Sequence, residues 1–119
     1  MQQHRKPTHP RLRTALSAAK RHLMRVKKMS YPQAAIEVAR YANASVASLA
    51  RFEQAILRFS PAKRMEFEER QLELLESELA GIRAKTEKSI SDIILIGDLE
   101  AKQHIFEKIL AKDKAKFKR

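Results

Sequence analysis

Glycine occurs at only two of 119 positions, Gly81 and Gly97, and proline at four, Pro7, Pro10, Pro32 and Pro61. A chain so poor in residues that turn or break the backbone has few places to reverse direction, so most of its length must lie in helices. The rest of the composition agrees. Ala, Leu, Lys, Glu and Arg are abundant, and apolar positions recur at intervals of three and four. The fold class expected is all-α.

The prolines also say where helices begin. From Pro10, the residues Leu12, Ala15, Leu16, Ala19, Leu23 and Val26 trace one face of a first helix. Arg11, Arg13, Lys20, Arg21, Arg25, Lys27 and Lys28 crowd the rest of it. Ser30-Tyr31-Pro32-Gln33 reads as a capping box with proline in the first turn, opening a helix to about Ala42. Ser45 offers a second start, for a helix reaching roughly Leu57, and Ser60-Pro61 a third. Beyond it, Met65, Leu72, Leu75, Leu79 and Ile82 form a heptad seam, broken early by Glu68, that suits an antiparallel helix pair or a dimer contact. SISDIILIGDLE, residues 89–100, fits a buried strand or a helix. A helix from about Ile90 to Lys114 is favoured, because no other segment resembles a partner strand. Residues 1–9 are expected to be disordered, and the closing AKDKAKFKR to be a fraying basic tail.

The net charge of +11 is unevenly placed. Residues 1–60 hold twelve Lys and Arg against Glu37 and Glu53 alone; residues 61–100 hold six against ten acids; residues 101–119 hold seven against two. A basic half beside an acidic middle gives the surface an address, and a polyphosphate is its commonest partner. Cysteine is absent, which excludes disulfides and thiolate chemistry. No apolar run approaches the ~20 residues that span a bilayer, and none follows the basic N-terminus as a secretory signal would require. A cytoplasmic protein without a membrane partner is expected. The basic helix also lacks the Trp or Phe that anchors an interfacial helix in headgroups.

Chemistry-bearing patterns are sparse. His4, His9, His22 and His104 have no metal-site spacing, and Glu66, Glu69, Glu73 and Glu76 read as a solvated stripe on one helix. There is no phosphate-cradling glycine loop and no nucleophile motif. The expectation is a protein without catalytic residues, metal or cofactor, and no small-molecule effector domain is evident.

The most informative stretch is IEVARYANASVASLARFE, residues 36–53. A helix-turn-helix needs a small residue where its helices cross, a residue tolerating positive φ at the turn, and an N-cap for the second helix. Ala39, Asn43 and Ser45 meet those needs, with Val38, Ala42, Ala44, Leu49 and Phe52 spaced to pin the pair to a core. The segment resembles the Lac-repressor-type motif D-V-A-x-Y-A-G-V-S-x-x-T-V-S-R. Val38, Ala39, Tyr41, Ala42, Ser45 and Arg51 match it, and Glu37, Ser48 and Leu49 are conservative replacements. Its continuation is similar to MerR-type regulators at Ser48, Leu49, Phe52, Glu53, Leu57, Ser60 and Pro61, with residues 61–88 as counterpart of their long dimerising helix.

The resemblance implies a recognition helix over Ser45–Leu57. Val46 and Ala47 would face base edges, Arg51 would read a guanine, and Ser45 and Ser48 would bond phosphate or base. Arg40 would touch the backbone and Tyr41 would pack with its hydroxyl on a phosphate. Lys20, Arg21, Arg25, Lys27 and Lys28 of the preceding helix would add affinity independent of sequence. The organisation expected is a helix-turn-helix DNA-binding domain over residues 1–60, then a helical hairpin or dimerisation arm over 61–119. The function expected is sequence-specific binding of double-stranded DNA by a homodimer, as a small transcriptional repressor or plasmid- or phage-type maintenance regulator. The rival is a helical adaptor whose basic face meets RNA or an acidic protein.

Overall fold

The computed structural model describes residues 9–117. It holds four helices: α1 (Pro10–Val26), α2 (Tyr31–Leu57), α3 (Pro61–Arg83) and α4 (Ile90–Phe117). There is no strand among the described residues, so 89–100 is helical. The disorder expected for residues 1–9 lies outside the described residues, save at His9, which caps α1.

Local chemistry accounts for each start. The His9 ring accepts the Arg11 amide at 3.1 Å, and Pro10 takes the first helical position. Ser30 and Gln33 form the full capping box, with Gln33 N–H donating to Ser30 Oγ at 3.3 Å and Ser30 N–H to Gln33 Oε1 at 3.2 Å. Ser60 caps α3 through the Lys63 amide at 3.2 Å. Before α4, Ser89 Oγ accepts from Asp92 N–H at 3.2 Å while Asp92 Oδ2 accepts from Ser89 N–H at 3.1 Å.

α4 is the hub, packing against α1, α2 and α3 in turn. One core cluster joins α1, α2 and α4 through Leu12, Ala19, Leu23, Val38, Leu49 and Ile94. A second joins α3 to α4 through Leu75, Leu79, Ile82 and Leu99. A third closes the far end with Ile56, Phe106 and Leu110. The heptad seam of α3 is therefore covered by α4 of the same chain, as a helical hairpin. The α1–α4 interface crosses the domain boundary expected at residue 60. Its closeness depends on Gly97, where an added Cβ would meet the Ala15 side chain and lie 2.9 Å from the Arg11 carbonyl oxygen. The result is a slab, 55 × 43 × 18 Å between Cα extremes.

Two expectations are corrected. There is no helix-turn-helix at residues 36–57, because α2 runs unbroken for 27 residues, ~40 Å at 1.5 Å per residue. Asn43 has no positive φ; the only non-glycine residue with one among those described is Lys28, at 58°. The physical reason is continuity of the buried stripe. Ala34, Val38, Ser45, Leu49 and Ile56 face inward at spacings of four and seven, which holds only if the helix continues. Against that burial, Asn and Ser inside a helix each cost under about 0.7 kcal/mol. Ser45 caps nothing; it is buried beside Ile94, Leu95 and Asp98 of α4.

The second correction concerns the tail. Residues 111–117 continue α4, and Asp113 is buried. Its carboxylate grips the Arg64 guanidinium, with Nε to Oδ2 at 2.7 Å and Nη2 to Oδ1 at 2.8 Å. Arg64 also donates to the Ile56 and Phe59 carbonyls at the C-terminal end of α2. One side chain thereby ties α2, α3 and α4 together.

Candidate nucleic-acid interface

With the inward stripe of α2 fixed, its opposite side is settled by helical period. Arg40, Asn43, Ala47, Arg51, Gln54 and Arg58 are all exposed there. On α1, Leu12, Ala15, Ala19 and Leu23 face inward, which leaves Arg13, Arg21 and Arg25 exposed, followed by Lys27 and Lys28 at the turn. Lys20 is half-buried, its ammonium 5.4 Å from the centre of the Tyr31 ring, where a cation meets the negative face of the aromatic system.

The structure divides the residues read from sequence. Arg40, Ala47, Arg51, Arg21, Arg25, Lys27 and Lys28 are exposed, and Tyr41 sits at the margin, 37% exposed. Ser45 is buried, Val46 packs against the α1–α2–α4 cluster, and half-buried Ser48 lines a shallow groove between α2 and α4. Buried Ser45 cannot face a base edge while α2 keeps its packing, and Val46 is turned towards the core, whereas Ser48 shares its groove with Tyr41 and Arg51. The reading also missed Arg13 and Arg58, although Arg40, Arg51 and Arg58 lie eleven and seven residues apart, which repeats along one side of a continuous helix.

Ion pairing sharpens the contrast between the two ends of the chain. Among the described residues, Arg13, Arg21, Arg25, Lys27, Lys28, Arg40, Arg51 and Arg58 take part in no ion pair. The pairs that form involve α3, α4 or the loop between them: Lys63–Glu66 at 3.6 Å, Lys114–Glu68 at 2.9 Å, Lys85–Asp92 at 3.0 Å. Among the described residues, Arg11 is the one α1 cation in an ion pair, reaching Glu100 at 3.8 Å. Arg70 on α3, Lys88 in the loop and Lys108, Lys112 and Lys116 on α4 are likewise in no ion pair among the described residues. What sets α1 and α2 apart is their shortage of acids, Glu37 and Glu53 alone, whereas Glu66, Glu69, Glu73 and Glu76 lie exposed on α3.

Three ionisable groups have distinctive surroundings. The Asp113 carboxyl is held below the usual carboxylate range, chiefly by its hydrogen bonds from Arg64, which outweigh its burial. Asp98 is buried on α4, and its Oδ1 lies 3.2 Å from Lys102 Nζ, close enough to pair but outside hydrogen-bonding direction. His9 Nε2 lies 3.1 Å from His104 Nδ1. Since His9 Nδ1 accepts the Arg11 amide, its proton belongs on Nε2, pointing at His104. Burial, and then His104, Arg11 and Lys108, lower the His9 pKa. A metal on His9 Nε2 would require a proton on Nδ1 and so cost the cap.

Comparison with known proteins adds no family. No protein-family model, curated protein sequence or solved structure matches this chain. No helix among the described residues is long and apolar enough to cross a membrane, and no group of three or more His, Cys, Asp or Glu among them could hold a metal ion.

Proposed function

We propose that this chain is a non-enzymatic helical protein that binds double-stranded DNA through the exposed basic surface of α1 and α2. The observation that carries the reading is the set of unengaged cations on those two helices, in a chain whose acids are gathered on α3 and α4. A surface that leaves eight guanidinium and ammonium groups without internal partners, and with Glu37 and Glu53 as the only acids on α1 and α2, is electrostatically incomplete. A phosphate backbone completes it by replacing condensed counterions. With α2 unbroken, the proposal stops at duplex binding and does not extend to the repressor role that a helix-turn-helix would imply.

The test is a fluorescence-anisotropy titration of a random-sequence duplex at several ionic strengths. Affinity should fall by roughly 10³-fold or more between about 50 and 200 mM salt, as expected for six or more phosphate contacts. Arg21→Ala or Arg25→Ala should lower the log–log slope by about 0.9 each. No binding at the lowest salt would overturn the proposal.

One observation favours a second reading. Tyr31 and Ile36 are 56% and 63% exposed in the first turns of α2, with the Lys20 ammonium over the Tyr31 ring, a mixture of apolar and cationic groups that suits an acidic protein partner better than a phosphate chain. Tyr31→Ser together with Ile36→Ser should leave duplex affinity unchanged if DNA is the partner.

A further inference from the structure

Losing the turn at Asn43 places that residue elsewhere: on the outward stripe of an unbroken rod. The stripe comprises Arg40, Asn43, Ala47, Arg51, Gln54 and Arg58, all exposed, with Arg51 at its margin where α2 and α4 form a shallow groove. It runs ~27 Å along the axis. It contains no acid; Glu37 and Glu53 project to opposite flanks of it by helical period. Between the arginines the side chains are a methyl and two short or flexible amides, so the helix backbone can come close to whatever lies against it.

Phosphate capture alone explains the arginines but not the amides aligned with them. Each of these side chains has a base-edge counterpart: guanidinium for the O6 and N7 of guanine, an Asn or Gln amide for the N6 and N7 of adenine, an alanine methyl for the methyl of thymine. The major groove of B-form DNA, ~12 Å wide, admits a single α-helix. α1 packs alongside α2, so its exposed Arg21 and Arg25 can reach the bordering phosphates.

We infer, resting on the duplex-binding reading above, that α2 is itself a continuous recognition helix. Asn43, Ala47, Arg51 and Gln54 read base edges in the major groove, and Arg40 and Arg58 hold phosphates towards either end. Sequence preference then comes from the middle of a long rod and needs no bend between two short helices.

The experiment is selection of the full chain against a random duplex library, repeated with Asn43→Ala, Arg51→Ala, Gln54→Ala and, as a backbone-contact control, Arg25→Ala. The three α2 substitutions are at exposed helical positions and introduce the best helix former, so folding is retained and is verified by circular dichroism. The wild type should enrich a motif. Each α2 variant should lose discrimination at one or two positions, by roughly 5- to 150-fold per bidentate contact. Arg25→Ala should weaken all duplexes alike and leave the motif intact. Salt-sensitive binding without enrichment, or α2 variants behaving like Arg25→Ala, would overturn the recognition helix while leaving duplex binding in place. No duplex binding at low salt would overturn both.

Discussion

Arg64 and Asp113, 49 residues apart in sequence, form a two-pronged ion pair in the interior, with their side chains 8% and 3% exposed. Taking one partner away strands the other charge out of water, at a cost of about 3–5 kcal/mol. Asp113→Ala or Arg64→Ala should therefore shift the urea midpoint sharply downward. The double variant Arg64→Met/Asp113→Leu should lose much less, because no buried charge is left unpaired. Equal losses in all three would mean the pair contributes only packing.

The same contact sets an acid limit. Asp113 has a lowered pKa in the folded state, so the unfolded chain binds more protons wherever pH falls between the unfolded and folded values. The stabilisation is complete above the ordinary carboxylate range and is lost as pH drops through the folded value. Asp113→Asn should lower stability at neutral pH and flatten its acid limb.

His9 adds a step at milder pH. Its lowered pKa means that folding favours the neutral ring, so its contribution is complete above the ordinary histidine value of 6.5 and fades as pH falls below it. Protonation would put a hydrogen on the nitrogen that accepts the Arg11 amide. His9→Asn keeps a capping acceptor but cannot titrate, and should remove the pH step in backbone amide shifts at the start of α1.

The two glycines should respond with opposite signs. Gly97→Ala forces α1 and α4 apart at Ala15 and the Arg11 carbonyl, at a cost of about 1–3 kcal/mol. Gly81 is exposed on α3 with nothing within 4 Å of an added Cβ. Gly81→Ala should stabilise by roughly 0.5–1 kcal/mol through helix propensity. Thermal melts of both variants decide the matter.

Much of this architecture is legible from local chemistry. Ser30 with Gln33, and Ser60 with Pro61, announce their helices because a cap is a contact between neighbours. The seam from Met65 to Ile82 announces its burial because period survives in sequence. What is not legible is long-range. Asn43 and Ser45 look like a turn because each favours one locally, and only the α4 surface beneath Val38, Leu49 and Ile56 reveals why the helix runs on. Likewise, the sequence shows Arg64 as one more cation and Asp113 as one acid in a basic tail, since nothing local records that they meet. The positive φ expected at Asn43 belongs to Lys28, where Met29 N–H bonds back to Leu23 O at 3.3 Å and closes α1. Asn43→Ala should accordingly raise stability by a few tenths of a kcal/mol, whereas a turn at that position would make it destabilising.

If the proposed function holds, the outward faces of α1 and α2 meet the phosphate backbone of a duplex. The most direct test is an amide chemical-shift titration of the full chain with a random-sequence duplex at low salt. Perturbations are expected at Arg21 to Lys28 on α1 and its turn, along Arg40, Asn43, Ala47 and Arg51 on α2 and at its C-cap Arg58, with Glu66 to Glu78 of α3 unmoved. Perturbations centred on α3, or none at all at saturating duplex, would contradict the proposed function.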